Sequence, residues 1–226
     1  NHFLDKLETS GLNSEDEFLP LYTNIKEVLK KIAQPSIHLA QLSYMLSSGL
    51  FKINKLDEAL EYNQLAVEIS EKIDKSHPVV ALYYRDKAHI HKKLGDPWKA
   101  IIYGLKDIEI LEKYPGKYDE LLPESYYALS KAYEMAQNYQ KAVEDNLKAS
   151  KFEKRRLTRK NPNLSRLYHH LAHYYLKLNN LEDASLSINK AVEMYSEEKT
   201  NENVQYRQLI EDQQKFNYLY FTGLKL

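Results

Sequence analysis

Cysteine is absent from this sequence of 226 residues, and glycine and proline are scarce, with 6 and 7 copies. Without cysteine there are no disulfides, no thiolate catalysis and no cysteine-ligated zinc, which fits a reducing compartment. No apolar run approaches the roughly 20 residues of a membrane-spanning helix, and no signal-peptide pattern opens the chain. We therefore expect a cytoplasmic protein that folds by packing alone. Since the chain begins with Asn1 rather than Met, we also expect it to be part of something longer.

A net charge is also missing, because 32 basic side chains balance 32 acidic ones. Nothing global therefore attracts the chain to nucleic acid or to an anionic membrane, and we expect neither as a partner. Positive charge is concentrated locally between Lys151 and Lys160. We interpret this run as a solvated helix end that complements the helix dipole, rather than as a nucleic-acid site.

The sequence lacks the motifs of the common enzyme classes. Its glycines form neither a phosphate-binding loop nor a dinucleotide fingerprint, and no serine lies in a nucleophile elbow. Carboxylates are plentiful but scattered along expected helix surfaces, where lysine partners and solvent explain them. No acid, base and electrophile converge by any spacing rule. The sequence therefore predicts that the protein is not an enzyme and needs no cofactor.

Tyrosine, by contrast, is common, with 19 copies, and a periodic pattern runs through the chain. Its anchors are four alanines spaced 41, 42 and 42 residues apart, namely Ala59, Ala100, Ala142 and Ala184. Seven residues after three of these anchors a second small residue lies on the same helix face, at Ala66, Ala149 and Ala191. Small residues let two antiparallel helices approach closely. The period therefore predicts helical hairpins that close their cores against each other.

The last of these repeats carries the fullest pattern of large and small residues. It consists of Tyr168, Leu171, Ala172, Tyr175, Asn180, Leu181, Ala184 and Ala191. This pattern resembles the tetratricopeptide repeat, and the long period is similar to the subtype of kinesin light chains and bacterial signalling arrays rather than to the common 34-residue form. The resemblance implies an all-α fold, a right-handed superhelical solenoid of about four hairpins with flanking helices at both ends.

We divide the chain on this basis into a capping region, an array and a terminal helix. The N-terminal flanking helix occupies 1–36, and the array occupies 37–196. The individual repeats span about 37–74, 78–114, 120–157 and 162–196. The C-terminal helix, 197–226, is a candidate start of a further repeat.

Two regions depart from the regular pattern. The second repeat has Lys87, Pro97, Gly104 and Asp107 where the resemblance implies other residue types, and we expect local irregularity there. The C-terminal helix has an apolar end, which we expect to be exposed and able to pair with another copy of the chain or with a further repeat. This end consists of Phe216, Leu219, Tyr220 and Phe221.

In such a stack the first helix of each hairpin lines a concave groove, and the register places basic and aromatic side chains in it. They are Tyr44, Phe51, Arg85, His89, Lys92, Tyr127, Lys131, Arg166, His169, His173 and Lys177. Arginine forks a carboxylate, lysine supplies a point charge and tyrosine offers rigid contact area. The prediction is a non-catalytic scaffold that binds a protein or peptide with acidic groups. The alternative is that these side chains are the solvated faces of amphipathic helices.

Two further functions stay open. The resemblance to bacterial signalling arrays implies a ligand- or peptide-sensing regulatory domain of a larger signalling or transcription protein. A metal-binding or enzymatic protein would use His169 and His173, one helical turn apart, with Glu134 from the preceding repeat. Because no glutamate lies between the histidines in a His-Glu-x-x-His pattern, we interpret them as ordinary polar groove residues and expect no metal.

Overall fold

The computed structural model describes residues 36–155, 161–195 and 204–223, together with Thr23 and Glu27. Within these residues the regular structure consists of nine α-helices of defined bounds, without a strand. In the same part of the chain, no helix combines the length and the hydrophobicity of a membrane span. Internal contacts divide the chain into two compact units, Asn1–Lys113 and Tyr114–Leu226. The predicted flanking helix, 1–36, lies almost wholly outside the described residues.

Between Ser36 and Lys113, the first unit contains two helical hairpins packed side by side. Its helices α1 to α4 span Ile37–Lys52, Leu56–Asp74, Pro78–Lys93 and Pro97–Glu112. α1 packs against α2, α3 packs against α4, and α2 contacts α3. Helix starts are encoded locally, because the side chain of Ser36 accepts the backbone N–H of Leu39 before α1. Asp96 accepts the N–H of Lys99 in the same way before α4.

The second unit has two hairpins and one further helix. Its helices α5 to α9 span Leu122–Met135, Tyr139–Glu153, Pro162–Lys177, Leu181–Met194 and Val204–Thr222. α5 packs against α6, α7 against α8, α6 contacts α7, and α9 packs against α8. Asn138, Asn161 and Asn180 each accept a backbone N–H three residues on and so begin α6, α7 and α8. These caps satisfy backbone N–H groups that the first turn would otherwise leave unpaired, and they set where each helix begins.

Each hairpin turns through one residue in the left-handed backbone conformation. The four residues are Asn54, Gly95, Gln137 and Asn179, with φ of 65°, 79°, 57° and 58°. Glycine and asparagine adopt this conformation readily, whereas glutamine is strained there by roughly 1 kcal/mol. The backbone therefore repeats at the same interval as the anchor alanines.

The anchor alanines lie in the core. Ala59 and Ala142 are 0% exposed, and Ala100 and Ala184 are 1% exposed. In the second unit, Ala142 and Ala184 share one apolar cluster with the fully buried ring of Tyr174. The alanine spacing in the sequence thus located positions at which helices pack.

The second hairpin is as regular as the others, so the expected irregularity is wrong. Its two helices have 16 residues each, and Pro97 takes the first turn of α4, where no backbone N–H is needed. Lys87 is buried, with its ammonium group 4.3 Å from the centroid of the Tyr103 ring, and it donates a hydrogen bond to Gln64 Oε1. The ring and the amide oxygen replace the water that burial removes from this cation.

α9 is anchored by two of the residues that we expected to be exposed. Phe216 and Leu219 are 1% and 5% exposed, so that prediction is wrong for them. Phe216 belongs to the apolar cluster of the second unit. The spacing of three residues puts both side chains on the inner face of α9. Its outer face exposes Tyr218, Tyr220 and Phe221.

Candidate functional site

In the first unit, a hydrogen bond joins the first helices of the two hairpins, α1 and α3. The Tyr44 hydroxyl donates to Asp86 Oδ2 at 2.7 Å, and the Tyr44 ring stacks on Tyr83 with centroids 4.7 Å apart. Burial raises the pKa of both Tyr44 and Asp86, while the hydrogen bond lowers that of Asp86. Tyr44 therefore links two hairpins instead of projecting freely into a groove.

The other predicted residues of this unit lie on α1 and α3. Lys93 Nζ lies 4.7 Å from the centroid of the Phe51 ring, at the end of α1. Arg85, His89 and Lys92 follow one another along α3 and are half-buried. Burial lowers the pKa of His89 to about 4, and the positive charges of Lys92 and Arg85 add to this effect. His89 is therefore neutral at neutral pH and contributes no positive charge.

In the second unit, Tyr127 and Arg166 form a compact arrangement between α5 and α7. The Tyr127 hydroxyl lies 2.9 Å from His170 Nε2. The Arg166 guanidinium lies 4.4 Å from the centroid of the Tyr127 ring and forms a 3.2 Å ion pair with Glu124. Burial lowers the pKa of His170 to about 3, so this ring is neutral at neutral pH. Lys177 lies exposed at the end of α7.

Lys131 and Glu134 form an ion pair one helical turn apart on α5. The Tyr174 hydroxyl, on α7, also donates to Glu134 at 3.3 Å. Glu134 is thus held by these two partners, and it is not among the residues that lie close enough to the α7 histidines to share an ion with them, as the open metal-site alternative required. The positive charge of Lys131 is neutralised locally.

His169 and His173 instead converge on Asp212, which α9 supplies. His169 Nε2 lies 2.8 Å and His173 Nε2 lies 3.2 Å from Asp212 Oδ2, and the two nitrogens are 3.1 Å apart. Gln208 Nε2 donates to the other oxygen, Asp212 Oδ1, at 3.4 Å. The edge of the Phe216 ring lies against His173, with centroids 5.1 Å apart.

This cluster is buried on one side and open on the other. The side chains of His169, His173 and Asp212 are 27%, 40% and 13% exposed. Burial lowers the pKa of His173 and the neighbouring His169 lowers it further, whereas Asp212 raises it. Within the described ranges, these three residues are the histidine and carboxylate set close enough to share one metal ion.

A cavity of about 530 Å³ opens beside the cluster, between α7 and α9. Its polar side chains include Arg166, His169, Gln205 and Gln208. Its apolar wall is formed by Pro162, Tyr195, Val204 and Leu209. The cavity therefore combines an arginine, amide groups and apolar surface, which suits a ligand of mixed character.

The contacts between first helices recur with the repeat. They join Tyr44 to Asp86, Tyr127 to His170 and His169 to Asp212, which are 42, 43 and 43 residues apart. Our reading of the sequence missed Asp86, His170 and Asp212 because it considered only side chains expected to face the groove. Counting one repeat period plus one residue forward from Tyr44, Tyr127 and His169 leads to these three partners.

Comparison with protein families shows that residues 165–198 match the tetratricopeptide repeat. Among solved structures, the chain is similar to BtubC (BKLC) from P. vanneervenii, with 19% identity over 80% of this chain and 74% of that one, and a TM-score of 0.71. RapI in its apo form has 16% identity and a TM-score of 0.69, over 90% of this chain and 57% of that one. No curated protein sequence matches.

A third similar structure contains nearly identical TPR-like repeats of kinesin-light-chain type from Podosopora anserina. It has 16% identity over 84% of this chain and 89% of that one, with a TM-score of 0.66. Together these likenesses confirm the tetratricopeptide resemblance and the predicted all-α class of the fold, in which each unit is built from helical hairpins. Identities this low bear on the fold alone.

Proposed function

We propose that this protein is a non-catalytic scaffold that binds a peptide segment of a partner protein, and that an acidic side chain of the peptide docks beside Arg166. The observation that carries the proposal is the cavity of about 530 Å³ between α7 and α9. Ligand pockets typically measure about 300–1,000 Å³. The mixed lining accepts one acidic and one apolar side chain together. Tetratricopeptide hairpins support this role, since stacked repeats offer extended surfaces to partners.

Arg166 is the residue best placed to recognise the acidic group. Its ion-pair partner, Glu124, is 48% exposed and Arg166 itself is 45% exposed. Exposed pairs of this kind stabilise a protein by about 0–1 kcal/mol, so a ligand carboxylate competes with Glu124 at little cost. The Tyr127 ring under the guanidinium holds its plane in one orientation. Lys131 is less suitable because Glu134 already neutralises it.

The first unit supplies a second surface for the same class of partner. Phe51, Arg85 and Lys92 are its members, whereas Tyr44 is engaged by Asp86 and the neutral His89 adds no charge. Since two of its predicted members, Tyr44 and His89, offer neither an unengaged hydroxyl nor a charge, we expect this surface to contribute less than the Arg166 surface. A sensing role within a larger signalling protein stays a prediction.

Fluorescence anisotropy with a defined peptide pool tests the proposal. The probes are short fluorescein-labelled peptides, each with two acidic residues and one leucine or phenylalanine. We expect a subset to bind, and rising NaCl to weaken the binding because the contact is charged and partly solvated. In Arg166→Glu we expect Kd to increase by at least about tenfold, since attraction becomes repulsion.

Arg155→Glu is the matched control. Arg155 forms a comparable exposed ion pair, 2.7 Å from Asp119, but does not line the cavity. Its replacement changes the net charge as much as Arg166→Glu does, and we expect Kd to stay the same. An equal loss of peptide affinity in Arg166→Glu and Arg155→Glu, or the failure of every peptide in the pool to bind, would overturn the proposal.

A further inference from the structure

We propose that His169, His173 and Asp212 form a binding site for one divalent transition-metal ion, with zinc as the preferred occupant. The site goes beyond the peptide-binding role and does not depend on it. Two ligands come from α7 and the third from α9, so the ion would join the last hairpin to the helix that follows it. Three independent observations support the assignment.

The first observation is the distance between the donor atoms. His169 Nε2, His173 Nε2 and Asp212 Oδ2 form a triangle with edges of 2.8, 3.1 and 3.2 Å. Zinc lies about 2.0–2.1 Å from nitrogen and oxygen ligands in a tetrahedron, whose ligand-to-ligand edges are therefore roughly 3.3 Å. The triangle is close to one face of that tetrahedron. Each edge needs to lengthen by only a few tenths of an ångström to admit the ion.

The second observation is that protons cannot satisfy all three contacts. A neutral imidazole nitrogen either carries a proton and donates, or carries a lone pair and accepts. If both Nε2 atoms are protonated, both donate to Asp212 and the 3.1 Å contact between them is repulsive. If only one is protonated, the other faces the Asp212 oxygen with a lone pair, unless that carboxyl is itself protonated. With the carboxylate ionised, at most two of the three contacts can thus be hydrogen bonds at once, whereas one cation satisfies three lone pairs together.

The third observation is the support behind the ligands. Gln208 donates to the Asp212 oxygen that does not face the histidines, and the buried Phe216 ring packs against the His173 ring at an angle of 81°. Hydrogen bonds to ligating carboxylates and packed imidazole rings are typical of metal sites, because they hold the donors in place before the ion arrives. The spacing of four residues between His169 and His173 places both rings on one face of α7.

The donor types select the metal. Two imidazole nitrogens and one carboxylate oxygen suit zinc and its transition-metal neighbours, whereas calcium and magnesium prefer oxygen throughout. Since the His173 side chain is 40% exposed, solvent reaches the cluster, and water would supply the remaining coordination. We infer that the ion would stabilise the packing of α9 against α7, since all three ligands come together only when α9 is docked.

Isothermal titration of the full chain with zinc chloride tests the site, using protein without an oligohistidine tag and stripped with chelator. We expect one zinc per chain. Removal of a ligand in His173→Ala or Asp212→Asn should raise Kd by more than about 100-fold, and Gln208→Ala, which removes only a supporting hydrogen bond, by about tenfold. We also expect Tm to rise by roughly 5 °C at a zinc concentration 100 times Kd and to fall again with chelator.

His89→Gln is the control, because His89 is a half-buried histidine of α3 that lies in the first unit. It should leave both the stoichiometry and Kd unchanged. Circular dichroism of each variant separates lost ligation from lost folding, and His173→Gln provides a second variant of similar volume. Visible absorption of the cobalt-substituted chain should show the intense bands of a tetrahedral site. Absence of zinc binding, or a Kd in Asp212→Asn equal to that of the parent chain, would refute the proposal.

Discussion

The two units place different chemistry at the same position of the repeat. In the first unit the position between first helices holds one donor and one acceptor, the Tyr44 hydroxyl and Asp86. In the second unit, the equivalent position between α7 and α9 holds His169 and Asp212, and His173 joins them. The first contact is a completed hydrogen bond, whereas the second brings together three groups that compete for protons. The repeated backbone fixes which positions come into contact, and the residue types at those positions decide what the contact site can bind.

The comparison extends to His89 and His173, which both lie 11 residues before their anchor alanines, Ala100 and Ala184. His173 has a histidine partner one turn earlier on its helix, whereas His89 has Arg85 at that place. An arginine donates and cannot accept, so it cannot share a cation with a neighbouring histidine. The residue one turn earlier is therefore one feature that separates the candidate metal site from the helix face around His89.

The largest effect is expected from removing the residue that docks α9. Phe216→Ala deletes a ring that is 1% exposed, and the cavity should reduce the free energy of unfolding by about 3–5 kcal/mol. Urea denaturation measures this loss, and hydrogen exchange should show the amides of α9 losing protection first. Phe221→Ala, at a site that is 80% exposed, should change stability by less than about 0.5 kcal/mol. Similar losses in both variants would show that α9 is not held through its inner face.

A smaller effect is expected from deleting the hydroxyl that completes the contact in the first unit. Tyr44→Phe leaves Asp86 without its hydrogen bond in a buried setting, which should cost about 1–3 kcal/mol. Tyr127→Phe leaves only the neutral His170 without its partner, and about 0.5–1.5 kcal/mol should be lost. Urea denaturation of both variants measures the difference. A greater loss in Tyr127→Phe would contradict this view of the two contacts.

The smallest effect concerns pH. Because burial lowers the pKa of His89 from 6.5 to about 4, the folded state binds a proton less readily than the unfolded chain. The free energy of unfolding is therefore unaffected by His89 well above pH 6.5. It decreases as the pH falls from 6.5 toward 4, by at most about 1.4 kcal/mol per pH unit. The neighbouring charges, Lys92 and Arg85, act in the same direction.

His89→Gln should therefore reduce the loss of stability between pH 7.5 and pH 5.5 by about 1 kcal/mol. Urea denaturation at the two pH values measures it. His38→Gln, which removes an exposed histidine instead, is the matched control measured at the same two pH values. An identical pH dependence in His89→Gln and the parent would mean that His89 is not protected from protonation by the fold.

The sequence was sufficient for the architecture because small residues at a fixed interval have one physical use in helices. Ala59, Ala100, Ala142 and Ala184 are all buried, as a close helix crossing requires. Lys87 was misjudged, because a charged residue at a core position signals disruption only when no aromatic ring is near, and the Tyr103 ring comes from the other helix of the hairpin.

The candidate site was less predictable, since its members come from different helices. Glu134 was the third ligand in the open metal-site alternative, but Lys131 and Tyr174 hold it, and the contact with Tyr174 joins two helices and could not be read from the spacing within one. Asp212 lies beyond the four repeats that the alanines define, so no anchor pointed to it. The apolar residues of α9 were predicted to form an exposed surface for the same reason. No anchor alanine follows α9, so the sequence did not distinguish the buried face of this helix from the exposed one.

The left-handed residue in each turn bears on which insertions and deletions the chain tolerates. Because Asn54, Gly95, Gln137 and Asn179 recur at intervals of 41, 42 and 42 residues, adding or removing a whole repeat would keep the following helices in register with their neighbours. A single inserted residue acts differently, since it rotates the rest of its helix by about 100°. Placed between His169 and His173, it would turn one imidazole away from Asp212 and leave the other in place. Growth of this molecule by duplication is therefore far less damaging than growth by small insertions.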